Sequence, residues 1–161
     1  MIRIAAQSDI ANIARLNDGV QRLHAKHEPA LFRQPTSAAA FIAWFEKAIR
    51  EPTAFVLLAE ESREAAGYLY ANEVRKDETW VRPALHFFLI HHIVVAPAFQ
   101  KRGVGGALMQ AVIEEAKRRK ISRVELDVWS FNEEAQRFFA RFGFSAFNYR
   151  MHAFVTENGD R

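Results

Sequence analysis

The most informative segment of this chain is the glycine-rich sequence Gln100-Lys101-Arg102-Gly103-Val104-Gly105-Gly106. It follows a strand-like apolar run that ends at Val95, and it opens a helix-like stretch over residues 104–119. Three glycines within four residues let the backbone approach an anion closely. The free amides and the positive dipole end of a helix's first turn point at such an anion. Strand, glycine turn and helix together predict a site for a phosphorylated cofactor.

Two other phosphate-binding patterns compete with this interpretation. A dinucleotide-binding fingerprint needs a glycine where this chain has Leu108, and it turns almost directly from strand to helix, whereas seven residues separate Val95 from Gly103. Asp127 could still imitate the ribose-binding acid of that fold, so a nucleotide binder stays an alternative. A Walker loop is excluded because the chain has no Gly-Lys-Ser/Thr. A tight helix entry without any ligand is the structural alternative.

The pattern Gln100-x-x-Gly103-x-Gly105 resembles the acyl-CoA-binding signature of the GNAT superfamily of N-acetyltransferases. Upstream, Ile93-Val94-Val95-Ala96-Pro97 is similar to the strand and proline that precede this signature in the family. Downstream, the second family motif resembles Asn132-x-x-Ala135-x-x-Phe138-Phe139-x-x-x-Gly143-Phe144. The order and the spacing of the three segments match, and the resemblance is strongest over residues 84–147.

The resemblance implies that acetyl-CoA is the acetyl donor. Its pantetheine arm is expected in a notch between the strands over residues 84–95 and 123–129, and its pyrophosphate on the amides of residues 102–106. Asn132 serves equally well as an ordinary helix N-cap before two acidic residues. The expected cofactor-binding residues are Ile93, Val94, Val95, Gln100, Lys101, Arg102, Gly103, Val104, Gly105, Gly106, Asn132, Ala135, Phe138 and Phe139.

The resemblance also implies direct attack of an amine on the thioester, through a tetrahedral intermediate held by backbone amides. A histidine, with an unperturbed pKa of about 6.5, is the best-matched group to take the amine proton. Strand alternation puts His91 and His92 on opposite faces, so that only one faces the acetyl group, unless a bulge changes the count. We favour His92 and keep His91, with Asp127 and Glu73 as secondary bases. An imidazole buried in the core is the structural alternative.

One position departs from the family pattern, because Phe139 stands where a tyrosine usually protonates the leaving thiolate. A thiol of pKa about 8.5 already leaves fairly well, so the hydroxyl is dispensable in the account that we favour. Tyr68, Tyr70 or Tyr149 could instead supply a hydroxyl from another strand. In a third account the chain is an acyl-CoA-binding protein with little or no catalysis.

Composition favours one small enzyme domain over residues 1–161, since 50% of the residues are apolar and 14 are Phe. The absence of cysteine excludes disulfides, thiolate metal ligands and a cysteine nucleophile. No run approaches the ~18 apolar residues of a membrane span, and the N-terminus does not resemble a signal peptide. We therefore expect a cytoplasmic protein that binds no membrane.

The net charge of +3 is too modest to indicate a nucleic-acid partner. The basic run Lys117-Arg118-Arg119-Lys120 reads as a solvated helix end. No His-x-His or His-Glu-x-x-His spacing predicts a metal. The acceptor is an unidentified amine, and the family resemblance makes a homodimer possible. Residues to consider on the acceptor side are His24, His27, Phe32 and Trp80.

The order of elements predicts an α/β domain. A strand at residues 2–5 precedes a helix with an apolar stripe from Ile10 to Leu23 and a second helix that ends at Pro52. The remaining segments are strands 54–60, 66–74 and 84–95, helix 104–119, strand 123–129, helix 133–141 and a closing strand within 144–155. The family resemblance implies a mixed, mostly antiparallel central sheet whose parallel central strands splay apart, flanked by helices.

Overall fold

The computed structural model describes residues 1–35, 37–153 and 155. The chain comprises two compact units, Met1–Asp127 and Val128–Arg161. The elements of the first unit are β1 (Ile2–Ile4), α1 (Ile10–His27), α2 (Ala39–Ala48), β2 (Ala54–Glu61), β3 (Glu64–Lys76), β4 (Leu85–Val95), α3 (Val104–Arg118) and β5 (Val124–Leu126). The second unit contains α4 (Glu133–Ala140).

The five strands form one sheet in the order β1-β2-β3-β4-β5. The first three pairs are antiparallel, whereas β4 and β5 run parallel and are joined through α3. Parallel pairing extends only from Phe88 opposite Val124 to Ile90 opposite Leu126. The predicted α/β class, with a mixed and mostly antiparallel sheet flanked by helices, is confirmed.

Each face of this sheet packs against different helices. The α1/α2 face is the side on which Tyr68 and Val94 form a buried cluster with Ile13 of α1 and Phe45 of α2. The α3 face is the opposite side, where a Cβ on Gly67 would lie 3.4 Å from Cγ1 of Val104. The apolar stripes of α1 and α3 follow helical spacing, so each helix buries one side against the sheet. Fully buried residues of α3 are Leu108, Met109 and Val112.

A β-bulge interrupts β4 at His91. Tyr70 pairs with His92 and the next residue, Ala71, pairs with Ile90, so His91 is the extra residue of the longer strand. A bulge of this kind bends the strand and shifts its alternation by one position. Consequently His92 and Val94 face α1 and α2, whereas Ile90, paired with Ala71, faces the α3 side.

Two predicted strands differ from the observed structure. The strand expected at residues 123–129 is only Val124–Leu126, because its pairing with β4 stops just before the bulge. The closing strand expected within 144–155 is wrong for the described residues 144–153 and 155, none of which is in a strand. Two large side chains of this segment, Phe147 and Tyr149, are exposed. Phe154 lies outside the described residues.

Candidate active site

The glycine turn ends in a left-handed residue at the N-terminus of α3. Gly103 is the N-cap with φ of 85°, and Lys101 also has a positive φ of 60°. Glycine adopts this conformation without the steric cost that a Cβ brings. The first helical bond within α3 runs from the amide of Ala107 to the carbonyl of Gly103 at 2.9 Å. The three preceding amides, at residues 104–106, therefore have no acceptor within the helix and suit an anion.

The side chains of the turn have different roles. Arg102 forms an ion pair with Glu61 at the end of β2 and lies 5.4 Å from the ring centre of Phe99. Gln100 donates from Nε2 to the carbonyl of Val95 at 3.3 Å. Lys101 is exposed. The glutamine and the arginine thus fix the turn to the two strands beside it, while all three side chains remain exposed to solvent.

The bulge divides β4 into a paired part and a part that β5 does not cover. The amide of Ala96 donates to the carbonyl of Ala66 at 2.9 Å, on the β3 side. Because successive backbone groups of a strand point to opposite edges, the amide of Val94 also points to β3, whereas those of Ile93 and Val95 point to the β5 side. Of the three strand residues expected to bind the cofactor, Ile93 and Val95 therefore have amides that face the β5 side, and cofactor contacts by all three, Val94 included, stay predictions.

Both histidines lie on the α1/α2 face, so the expectation that they point to opposite faces is wrong. The ring of His91 stacks on Tyr70 with centroids 5.0 Å apart, and the ring of His92 meets the same tyrosine edge-on at 5.8 Å. The bulge causes this arrangement, because its extra residue removes the alternation between neighbouring positions. His92 also lies near Phe41 at 6.3 Å and Trp44 at 5.9 Å, both on α2.

A buried chain of polar side chains ends at His92. The hydroxyl of Tyr68 donates to Oδ1 of Asn17 at 2.8 Å and lies 3.0 Å from Nδ1 of His92. Tyr68 is 0% exposed and Asn17 is 8% exposed. Asn17 is absent from the candidates named from the sequence. The signal that could have identified it is a polar residue within the apolar stripe of α1.

Burial controls the charge state of this histidine pair. It lowers the pKa of His92 to about 4, and the neighbouring His91 and His24 lower the pKa in the same direction. Burial also lowers the pKa of His91, while the nearby charge of Asp127 raises it. Both imidazoles are therefore neutral near pH 7, with a nitrogen lone pair available.

The two secondary carboxylates differ. Asp127 follows the end of β5 and is exposed. Glu73 lies on the α3 face and accepts bonds from Arg119 at 2.9 Å and Arg75 at 2.8 Å, with His86 also at 2.8 Å. Arg119 and His86 hold the pKa of Glu73 at about 2. The hypothesis that Glu73 is a general base is wrong, because a carboxylate held by three partners on the opposite face is a poor proton acceptor.

The basic run at the end of α3 is only partly a solvated helix end. Lys117 pairs with Glu114 and Arg118 with Glu115, both at the surface. Arg119 instead lies 5.3 Å from the ring centres of both Phe55 and Phe88 and binds Glu73. The earlier interpretation is wrong for Arg119, whose guanidinium packs on the sheet.

The second unit contains the remaining predicted cofactor residues. Oδ1 of Asn132 accepts a bond from the amide of Ala135 at 3.1 Å, which confirms the N-cap interpretation. Phe139 is buried, with ring centroids 5.3 Å from Phe138 and 5.9 Å from Phe144. Cofactor contacts by these residues of α4 stay predictions.

The residues suggested for the acceptor side lie in different settings. His24 packs against Phe32 with centroids 5.0 Å apart, and burial lowers the pKa of His24. Trp80 is 97% exposed in the loop between β3 and β4. Within residues 1–35, 37–153 and 155, no group of three or more His, Cys, Asp or Glu could hold a metal ion. In the same described segments, every helix is too short or too polar to cross a membrane.

The geometry so far is a mixed sheet whose parallel pair ends beside a bulge, with a glycine turn at a helix N-terminus. Comparison with known proteins gives its class. Residues 13–144 match the model of the Acetyltransferase (GNAT) family. This chain belongs to that family, as the sequence resemblance indicated. The family generally uses acetyl-CoA as its acyl donor.

Individual relatives agree with the family. The chain is 31% identical over 107 residues to an uncharacterized N-acetyltransferase in the pepI 3′ region of Lactobacillus delbrueckii subsp. lactis, covering 66% of this chain and 60% of that protein. It is 47% identical over 55 residues to an uncharacterized N-acetyltransferase of Methanocaldococcus jannaschii, covering 34% of this chain and 24% of that one. The chain thus spans only a quarter to three fifths of these relatives' lengths.

A solved structure extends the likeness over nearly the whole chain. The tetramutant of the BH1408 protein from Bacillus halodurans has a TM-score of 0.87 and 25% sequence identity. The alignment covers 96% of this chain and 99% of that one. The fold of this family member thus recurs in a solved protein over nearly the whole length of both chains.

Proposed function

We propose that this protein transfers an acetyl group from acetyl-CoA to a primary amine of a small molecule or a protein, within one domain over residues 1–161. The observation that carries the proposal is the continuity of two features. The β5 side of β4 loses its parallel neighbour after Ile90, and the same strand runs on into the turn at Gly103. The family match over residues 13–144 includes both features and spans both compact units.

The backbone supports donor binding in this proposal. The amides of residues 104–106 are free of helical acceptors and suit the pyrophosphate, with the exposed Lys101 adding positive charge. The outward amides of Ile93 and Val95 are the donors that we assign to the pantetheine arm and to the oxyanion of the tetrahedral intermediate. Acetyl-CoA supplies the activated thioester when it is bound.

The transfer itself is a direct displacement. The neutral amine nitrogen attacks the carbonyl carbon, a C–N bond forms, and the C–S bond then breaks as coenzyme A leaves. The nitrogen becomes acidic once it is bonded to that carbon, so a neutral imidazole can take its proton. We assign this role to His92, and the thiolate takes a proton from water.

His91 is the second candidate base. Its ring lies on the same face as that of His92, and Asp127 favours the charged form that a base reaches after accepting a proton. Separate His91→Gln and His92→Gln variants distinguish the two, because only the base should lose turnover while retaining donor affinity. If His91→Gln alone abolished turnover, the assignment would move to His91.

Calorimetric titration with acetyl-CoA is the first test of the proposed function. We expect micromolar binding to the wild type, none to a Gly103→Asp/Gly105→Asp variant, and none of NAD to either. The two carboxylates would repel the pyrophosphate, and a side chain at residue 103 is strained at its φ of 85°. Thermal melts of the variant establish that it is folded. Absence of acetyl-CoA binding to the wild type, or a preference for NAD, would overturn the proposal.

Phe139 carries the second candidate function, an acyl-CoA-binding protein with little catalysis. The two functions separate in a Phe139→Tyr variant assayed with a panel of primary amines. If thiolate protonation does not limit the rate, as we expect, turnover changes by less than about threefold, far below the usual acid-base contribution. A wild type that binds acetyl-CoA but acetylates no amine, with activity appearing only in Phe139→Tyr, would favour the binding protein.

A further inference from the structure

We propose that Asn17 and Tyr68 are positioning residues that hold His92 in the tautomer with its proton on Nδ1, leaving Nε2 as the proton-accepting nitrogen. The proposal rests on the assignment of His92 as the base. The three residues come from α1, β3 and β4, and they meet between the sheet and α1. The hydroxyl of Tyr68 stands between the other two, 2.8 Å from Asn17 Oδ1 and 3.0 Å from His92 Nδ1.

The direction of these bonds follows from counting protons. An amide Oδ1 is only an acceptor, and a tyrosine hydroxyl has a single proton. If that proton is donated to Asn17, the hydroxyl oxygen can only accept from His92. Nδ1 of His92 must then carry the ring proton, and the lone pair of the neutral ring lies on Nε2.

Burial makes this arrangement persistent. Tyr68 is fully buried, which raises the pKa of its hydroxyl, so the group stays a neutral donor. The ring of Tyr68 also meets that of His92 edge-on at 6.0 Å, and Trp44 and Phe41 border the imidazole from α2. A buried polar group without its partner is unfavourable, which favours the fully bonded chain over one with a rotated imidazole.

The tautomer matters because a neutral imidazole has only one nitrogen that can accept a proton. With the proton on Nε2, the lone pair would be on Nδ1, which faces Tyr68 in the interior. With the proton on Nδ1, the accepting nitrogen is the one away from Tyr68. Asn17 and Tyr68 thus act on catalysis only through the orientation and tautomer of His92.

The decisive measurement is the tautomer of His92, read from ¹⁵N chemical shifts in long-range ¹H–¹⁵N spectra of the wild type at pH 7.5. The signal is assigned by its loss in His92→Gln. We expect a protonated Nδ1 and an unprotonated Nε2. An unprotonated Nδ1 in the wild type would overturn the proposal without any further variant, because it would mean that Tyr68 donates to the histidine and Asn17 is reversed.

Variants test the cause. Tyr68→Phe should remove the preference of His92 for a proton on Nδ1. It should also lower kcat about 3- to 10-fold with an unchanged KM for acetyl-CoA. Asn17→Asp keeps an acceptor for the hydroxyl and should retain the wild-type tautomer. Tyr70→Phe is the matched control, because the ring of Tyr70 also contacts His92. The tautomer of His92 should not change in this variant. An unchanged tautomer in Tyr68→Phe would overturn the proposal.

The same experiments separate this proposal from the proposed function. If His92→Gln retains full turnover while the wild type shows the Nδ1–H tautomer, Asn17 and Tyr68 do orient His92, but His92 is not the base. If His92→Gln abolishes turnover and the wild type carries its proton on Nε2, the base assignment stands and the positioning role fails.

Discussion

Strand β4 carries His86 and His92, and the two side chains lie on opposite faces of the sheet. On the α3 face, Nε2 of His86 is 2.8 Å from a carboxylate oxygen of Glu73, which also binds Arg119. On the α1/α2 face, His92 meets the uncharged hydroxyl of Tyr68. One residue type on one strand thus belongs to an ion-pair network on one side and to a neutral hydrogen-bond chain on the other.

The single extra residue of the bulge in β4 explains why His86 and His92 have different surroundings. Position 92 is six residues after position 86, an even step, so regular alternation would place both on the α3 face. The bulge at His91 reverses the alternation and turns His92 toward α1 and α2. Burial on that side lowers the pKa of His92 to about 4 and keeps its imidazole neutral.

The largest expected effect comes from removing the imidazole on one face only. His92→Gln should lower kcat by about 10²–10⁴-fold and leave acetyl-CoA affinity unchanged, because the base acts on the amine and not on the donor. His86→Gln on the other face is the control and should retain kcat. Steady-state kinetics with an amine that the wild type acetylates, together with calorimetry, provide both numbers. Equal losses in the two variants would erase the functional distinction between the faces.

The two faces should also lose stability in separate pH ranges. His92 binds a proton more weakly in the folded state than in the unfolded chain, so its contribution is complete above pH about 6.5 and is lost as the pH falls toward about 4. The loss reaches up to about 3 kcal/mol. His91 and His24, whose pKa values are also lowered, act in the same direction. The stability contributions of Glu73 and Glu115, whose pKa values are near 2, are lost only as the pH falls below about 4.5.

Urea unfolding between pH 4 and 8 checks this order. The His92→Gln variant should show a flatter stability profile between pH 6.5 and 4 than the wild type. An unaltered slope in His92→Gln would mean that the buried imidazole does not govern this range.

The ion-pair network of the α3 face should matter for stability and not for chemistry. Arg119→Met keeps much of the side-chain volume over Phe55 and Phe88 but leaves Glu73 without one partner, so the free energy of unfolding should fall by about 1–3 kcal/mol. The adjacent Arg118→Met is the control, because an exposed ion pair contributes about 0–1 kcal/mol. Urea unfolding measures the free energy of unfolding of both variants. A large loss of kcat in Arg119→Met would contradict the claim that this network serves stability and not catalysis.

The last prediction compares two glycines, Gly67 within β3 and Gly19 within α1, and Gly19→Ala has the smaller expected effect. A Cβ on Gly67 would lie 2.5 Å from the carbonyl oxygen of Val94, so Gly67→Ala should destabilise the fold by about 1–3 kcal/mol. Gly19 in α1 has nothing within 4 Å of its Cβ position, so Gly19→Ala should stabilise by about 0.5–1 kcal/mol. Thermal melts of both variants suffice. Opposite signs are expected, and a tolerated Gly67→Ala would show that β4 can shift at this point.

Much of the fold was predictable because it depends on local patterns. The apolar stripe beginning at Ile10 and Ile13 and the hairpin of β2 and β3 both follow from periodicity and turn residues. The left-handed Gly103 follows from glycine's conformational freedom. The strand expected within 144–155 was wrong for the described residues of that segment, because a strand also needs a pairing partner elsewhere in the chain, which residue types alone do not provide.

The candidate site was predictable in part. The motif selected the turn and the two histidines, but it could not select Asn17 or Tyr68 as partners of His92, since those contacts join residues far apart in the chain. Likewise, the sequence does not distinguish Arg119 from the other cations at the end of α3. Its contacts with the rings of Phe55 and Phe88 depend on the tertiary structure.

Residue types at short, fixed spacings were sufficient to predict the family, the order of the elements up to α4 and the position of the glycine turn. The tertiary structure decided that His91 and His92 share a face, that Ile93 and Val95 present their amides toward β5, and that Glu73 is held by cations. The physical reason is that strand pairing sets where the bulge falls, and the bulge then determines which groups meet across the sheet.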